Sequence, residues 1–197
     1  ITVLFWLVLS TFGALPFALS QETNLSFIDA LFESISGLTT TGATVFTNLE
    51  DLPKSILYYR QQLQWLGGIG IVVIAVSILP MIGVGGMQIY KAETPGPIKD
   101  TKLTPRIAET ANALFKIYVF LTVVCAIAYW VAGMSWFDAL SHSFSTISIG
   151  GFSTYDESLG HFDNNAVLTI ASIFMVVSGL NFALHYTAWH ARSIKSY

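Results

Sequence analysis

The sequence predicts an all-α integral membrane protein made of two parallel units, each a long helix, a short helix and a second long helix. Three observations carry this expectation. Hydrophobic residues make up 53% of the chain and charged residues 11%, against about 25% charged in soluble domains, and the mean hydropathy is +0.62. Four apolar runs approach the roughly 20 residues that a helix needs to cross hydrocarbon. A capping pattern, a short segment and a glycine-containing turn also occur twice in one register, over 26–45 and again over 135–154.

Taken in order, 1–19 is nearly all apolar, with Pro16 near its end, and is the first crossing. Ser26-Phe27-Ile28-Asp29 supplies the S-x-x-D pattern of a helix N-terminus. The helix it opens runs over 27–38 and stops at a threonine run, which at 1.5 Å per residue is roughly 18 Å. That length enters a bilayer without crossing it. The turn 39–44 and a polar stretch ending at Pro53 lead to a second crossing over 55–82. That crossing opens on Tyr59, Arg60, Gln61, Gln62 and Gln64, and its Gly67, Gly68 and Gly70 leave room for close backbone approach. The segment 83–107, with prolines and cations, is a cytoplasmic linker. The cycle then restarts with a crossing over 108–134, a short helix over 136–147 capped by Ser135-Trp136-Phe137-Asp138, a turn over 148–153 and a crossing over 166–190. The first unit is thus 1–82 and the second 108–197.

The repeat is visible residue by residue. At an offset of 109, seven of twenty positions are identical: Ser26 with Ser135, Asp29 with Asp138, Ala30 with Ala139, Leu31 with Leu140, Ser34 with Ser143, Ser36 with Ser145 and Gly42 with Gly151. Chance likeness of two apolar stretches does not put a cap, interior serines and a glycine into one register.

Charge gives the orientation. Seven of the nine cations lie in the linker, at the start of the third crossing or beyond the fourth, and mark the cytoplasmic face; Lys54 and Arg60 fall opposite. The opposite face carries Glu22, Asp29, Glu33, Glu50, Asp51, Asp138, Asp156, Glu157 and Asp163. Both short helices therefore dip in from outside, under an acidic rim.

Backbone that is neither helix nor sheet is tolerated at membrane depth only where protein buries it or where it lines a watery path. A turn repeated at that depth points to a path. Glycine can take positive φ and turn a carbonyl toward an axis. The preceding short helix aims its partially negative C-terminal end at the same spot, which favours a cation. Carbonyl-lined filters behind short helices are also how potassium channels replace an ion's hydration shell.

Ser36-Gly37-Leu38-Thr39-Thr40-Thr41-Gly42-Ala43-Thr44, Gln64-Trp65-Leu66-Gly67-Gly68-Ile69-Gly70 and Leu103-Thr104-Pro105-Arg106-Ile107-Ala108-Glu109-Thr110 together resemble the TrkH family of Trk-type potassium-uptake membrane subunits, in the superfamily of K⁺ transporters. The resemblance spans the whole chain. It implies four helix–pore helix–helix (M1-P-M2) repeats around one potassium-channel-like pore, of which this chain carries two. It implies filter glycines at Gly42 and Gly151, with Thr40, Thr41, Ile149 and Gly150 before them supplying ion-facing oxygens. Ile149 departs from the threonine-rich pattern and has no hydroxyl, which speaks against a hydroxyl-based site in the second turn. The resemblance further implies K⁺ as the transported ion, a homodimer, a cytoplasmic nucleotide-binding regulatory subunit, and a multi-pass protein of the bacterial inner membrane in contact with lipid. Its filter turns would face outside. No bound cofactor and no nucleic-acid partner are expected.

Other readings stand beside this one. An ion-coupled secondary transporter with broken helices and a non-conducting scaffold both fit the composition, although inverted repeats would carry an odd number of crossings and these units have two each. An enzyme is not expected, since no paired carboxylates, activated nucleophile or metal cluster is apparent. Asn181 and His185, one helical turn apart, are candidate pore-lining groups. Arg60 reads as an outer-surface charge, with a brace of the filter entrance through Glu50 or Asp51 as the alternative. Cys125, the lone cysteine, excludes an internal disulfide. The chain reads as a piece of something longer, and Gly42→Ser is expected to weaken K⁺ over Na⁺ selectivity with little loss of expression.

Overall fold

The computed structural model describes residues 2–78 and 103–180, and among these every regular element is helical. They are α1 (Thr2–Leu19), α2 (Phe27–Leu38), α3 (Lys54–Ile78), α4 (Leu103–Val131), α5 (Trp136–Ile147) and α6 (Asn165–Gly179), with single 3-10 turns at Leu49–Asp51 and Ser158–Phe162. Packing divides the chain into two compact bodies that do not coincide with the two repeat units. One joins Ile1–Gly68 to Phe120–Leu180 and contains both glycine turns; the other joins Ile69–Val119 to Asn181–Tyr197, and its described part is the end of α3 and the start of α4.

Within α4, Ala111–Val131 is long and apolar enough to cross a membrane, with a mean hydropathy of 2.1; Val3–Leu19 and Asn165–Gly179 are apolar but shorter. These helices turn large apolar side chains outward. Val3, Leu4 and Phe12 on α1, Val131 on α4 and Val176 on α6 are all more than 60% exposed. Water would penalise such surfaces, whereas lipid or neighbouring protein would not.

The short helices are inside-out in composition. In α2 the exposed residues are Phe27, Ile28 and Phe32, while Glu33, Ser34, Ser36 and Gly37 are buried. In α5 Trp136 is exposed, while Ser141, His142, Ser143, Ser145 and Thr146 are buried. Small and polar groups face the protein interior, as they do where helices pack inside a membrane. Ala14 and Ala30 are fully buried, and a Cβ on Gly13 of α1 would fall against the Ser34 hydroxyl of α2, so the two helices pack with almost nothing between them. Around this contact Phe17, Leu38, Phe46, Leu49, Ile56, Leu57 and Leu63 complete the core.

Both short helices start on the same device. The Ser26 hydroxyl oxygen accepts the Asp29 N–H at 3.2 Å and its O–H donates to the Asp29 carboxylate at 2.7 Å. Ser135 and Asp138 repeat this at 3.1 and 2.6 Å. A side-chain acceptor at the N-cap satisfies an otherwise orphaned N–H, so S-x-x-D sets the start of each helix.

Candidate ion-binding site

After α2 and after α5 the chain makes the same turn with different residues. The Thr39, Thr40 and Thr41 N–H groups donate to Ile35, Gly37 and Ser36 carbonyls at 2.9, 3.0 and 2.9 Å. The Ser148, Ile149 and Gly150 N–H groups donate to Phe144, Thr146 and Ser145 carbonyls at 3.1, 3.1 and 2.8 Å. Each turn therefore folds its N–H groups back onto the helix end, satisfying carbonyls that a helix C-terminus leaves open.

Handedness alternates along each turn. Thr40 and Gly42 have φ of 55° and 78°, with Thr41 between them not positive; Ile149 and Gly151 have 53° and 87°, with Gly150 between them not positive. Alternation of this kind turns successive carbonyls toward one side, unlike a strand, where they alternate. A β-branched residue such as Ile149 at positive φ costs of order 1–3 kcal/mol. Among the described residues, no hydrogen bond reaches the carbonyl oxygens of Thr40, Thr41, Gly42, Ile149, Gly150 or Gly151. Each turn thus folds three N–H groups back onto its helix while, among the described residues, these carbonyls stay open.

The two turns meet. A Cβ on Gly42 would land on the Gly150 carbonyl oxygen, whereas one on Gly151 would have nothing within 4 Å. Backbone, which cannot swing aside, occupies the space a Gly42→Ser side chain needs, which argues against the expectation that this change spares expression. A cavity of about 290 Å³ opens above, lined by Gly42, Thr44, Gly151, Ser153 and Asp156 among others.

Behind the turns lies a polar framework. Arg60 is fully buried, not at the outer surface as its sequence context indicates, and its partner is Glu33, not Glu50 or Asp51. Its Nε donates to the Glu33 carboxylate at 2.7 Å with both side chains at 0% exposure. Its Nη1 donates to the Ser153 carbonyl at 3.1 Å and its Nη2 to the Thr44 hydroxyl at 2.9 Å. Glu33 also accepts from Thr44 Oγ1 at 2.9 Å and from the Val45 N–H at 3.1 Å. Glu33 and Asp138 are buried, so neither belongs to an acidic rim. The corresponding brace in the second unit is neutral. His142 Nδ1 lies 2.9 Å from the Asp138 carbonyl, and Nε2 lies 2.9 Å from Ser153 Oγ. Only an N–H can face a carbonyl, so Nδ1 carries a proton, and in the neutral ring Nε2 then accepts from Ser153. Glu33 pairs with Thr44, and His142 with Ser153, at the same offset of 109 as the caps. Phe46 N–H to Thr44 Oγ1 and Tyr155 N–H to Ser153 Oγ, both 3.1 Å, extend the match.

One face of α3 serves both turns. Gln64 Oε1 accepts the Phe152 N–H at 3.1 Å, and a Cβ on Gly67 would run into the Leu38 carbonyl at the end of α2. The loops outside the turns lock together as well, with the Asn48 and Leu49 N–H groups donating to Asp156 at 2.8 and 3.1 Å and the Asp156 N–H to Glu50 at 3.2 Å.

Of the residues singled out from sequence, Gly42 meets Gly150 and Gly151, Thr40, Thr41 and Ile149 lie in the same two turns, and Asn181 and His185 lie outside the described residues. Sequence reasoning missed Glu33, Gln64 and His142 and misplaced Arg60. A usable signal was present: beyond the capping aspartates, Glu33 and His142 are the other ionisable residues inside the short helices at matching register, and Arg60 and Gln64 share a face of α3.

Comparison with known proteins agrees in one direction. A family model described as TrkH, cation transport protein, matches residues 1–197. The Trk system potassium uptake protein TrkH of Halomonas elongata is 61% identical over 197 residues, covering 100% of this chain and 41% of that protein. The Trk system potassium uptake protein TrkG of Escherichia coli K12 is 48% identical over 195 residues, covering 99% of this chain and 40% of that protein. The crystal structure of the potassium transporter TrkH from Vibrio parahaemolyticus superposes with a TM-score of 0.83 at 54% identity, covering 97% of this chain and 37% of that one. The chain spans about 41% of the length of TrkH relatives of this kind.

Proposed function

The chain belongs to the TrkH cation transport protein family, and from that premise we propose that it forms part of the ion path of a potassium-uptake protein. In this reading the two units are M1-P-M2 repeats of a four-repeat pore. Helices α2 and α5 are its pore helices, and the carbonyls of Thr40, Thr41, Gly42, Ile149, Gly150 and Gly151 are part of its selectivity filter. The observation that carries it is the set of open acceptors: three N–H groups of each turn folded back onto the helix end, carbonyls left without a partner among the described residues, and positive φ at alternate positions, a pattern suited to turning carbonyls toward one side. Two electronegative helix ends add a field that favours a cation over an anion. Relatives of this chain are named as potassium uptake proteins, which supports K⁺ as the ion carried.

The same reading takes the protein to be a multi-pass, non-enzymatic component of the bacterial inner membrane with its turns toward the outside. It assembles as a homodimer with a cytoplasmic nucleotide-binding regulatory subunit. The exposed apolar side chains of α1, α4 and α6 then face lipid or the remaining repeats. The test is growth of a K⁺-uptake-deficient bacterium on low K⁺. The full-length protein should restore it and the 197-residue chain alone should not, because half a ring of carbonyls cannot replace a hydration shell; failure of the full-length protein sinks the reading.

A further inference from the structure

We propose that Arg60 and Gln64 are positioning residues of the ion path, a two-point clamp through which α3 of the first unit fixes the backbone of the second unit's turn and with it the preference for K⁺ over Na⁺. The inference rests on the filter reading above and goes further, because it assigns discrimination to side chains that never touch the ion.

The two residues are four apart on α3 and so share one face. Gln64 Oε1 accepts the Phe152 N–H at 3.1 Å, and Arg60 Nη1 donates to the Ser153 carbonyl at 3.1 Å. An N–H donor admits only the amide oxygen, which fixes the Gln64 rotamer. Between these two anchors the Phe152 ring lies under the Arg60 guanidinium, 4.4 Å from its centroid. On the other side of Gly151, the Gln64 amide occupies the space that a Cβ on Gly150 would need. The clamp therefore brackets Gly151 from Gly150 to Ser153. Gly151 itself, at φ of 87°, has open space where a Cβ would stand.

The arrangement is expensive, which argues that it is kept for a reason. Arg60 and Gln64 are both at 0% exposure, and among the described residues Gln64 Nε2 has no partner. A buried amide donor left unpaired opposes folding. A methionine-sized apolar side chain would fill the same volume without that cost. What it would not do is accept the Phe152 N–H. Carbonyls that replace a hydration shell discriminate through their number and spacing, and both are lost when the segment carrying them relaxes onto a smaller ion.

The experiment measures the K⁺-to-Na⁺ permeability ratio of the full-length protein in proteoliposomes, for Gln64→Met, Arg60→Lys and Gly151→Ala. Being a ratio, it is blind to how much protein folds. Gln64→Met should lower it about fivefold, the scale of one ordinary hydrogen bond. Arg60→Lys should lower it as well, since a single ammonium cannot hold Glu33, Thr44 and the Ser153 carbonyl together. If Arg60→Lys does not fold, Gln64→Met decides alone. An unchanged ratio in Gln64→Met beside a lowered one in Gly151→Ala overturns the clamp and leaves the filter reading standing; an unchanged ratio in all three overturns both.

Discussion

Arg60 and Glu33 form an ion pair at 2.7 Å with both side chains wholly excluded from solvent, although they stand 27 residues apart on α3 and α2. The pair lies behind the two turns and contacts the end of each, Thr44 in the first and Ser153 in the second.

Removing both members should cost less than the two single removals added together. Glu33→Gln leaves the Arg60 guanidinium buried without its counter-ion, a loss of about 3–5 kcal/mol. Glu33→Gln with Arg60→Met removes both charges and should cost less than the sum of the two single changes. Thermal unfolding of the purified full-length protein in detergent, run as a double-mutant cycle, measures this. Additive losses would mean that the two charges act independently.

The two filter glycines should differ in their tolerance of a methyl group. Gly151→Ala pays only for left-handed backbone, about 1–2 kcal/mol, since nothing lies within 4 Å. Gly42→Ala carries the same strain and also drives a Cβ into the Gly150 carbonyl, so the turns must part. Yield of monodisperse protein should be near normal for Gly151→Ala and sharply reduced for Gly42→Ala; equal yields would contradict the close approach of the turns.

The matching aspartates should also differ. Among the described residues, Asp29 accepts from Ser26 alone among side-chain donors, whereas Asp138 accepts hydroxyl protons from Ser135, Thr154 and Tyr155 at 2.6, 2.9 and 3.2 Å. Asp29→Ala should cost about 1 kcal/mol, the usual scale of a helix cap, and Asp138→Ala about 2–3 kcal/mol from several hydrogen bonds to a charged acceptor. Thermal shifts of the two variants, measured side by side, check the order.

Acid should loosen the second brace. Burial pushes the His142 imidazole below its ordinary value, partly opposed by its contact with Asp138, while His161 lowers it further. Folding thus favours the neutral ring. The stability it contributes is complete above the ordinary histidine value of about 6.5 and is lost as the pH falls through that value toward the depressed folded one. Between pH 7 and pH 5 the native protein should lose thermal stability that His142→Gln does not lose. Equal losses would place the titrating group elsewhere.

Much of the local structure was legible because local chemistry sets it. Ser26 with Asp29, and Ser135 with Asp138, start a helix whatever surrounds them, and Gly42 and Gly151 stand where the chain needs positive φ. Positive φ at Thr40 and Ile149 was not legible, since nothing intrinsic to either residue favours it and the returning hydrogen bonds impose it. The framework was hidden for a different reason. Arg60 follows two tyrosines at the polar start of a helix, a context shared by many surface arginines, and its burial depends on Glu33, Thr44 and Ser153 arriving from three other segments. The role of Gln64 depends on a turn 88 residues away. Such contacts are properties of the fold and leave no periodicity in the chain.

The central claim, that the open carbonyls of the two turns bind the transported cation, is tested most directly by diffraction from crystals of the full-length protein grown with Rb⁺ or Tl⁺ in place of K⁺. The account predicts anomalous peaks in direct coordination distance of the Thr41, Gly42, Gly150 and Gly151 carbonyls, lost when Na⁺ replaces the heavier ion. Ordered peaks elsewhere along the path, with none at these turns, would contradict it.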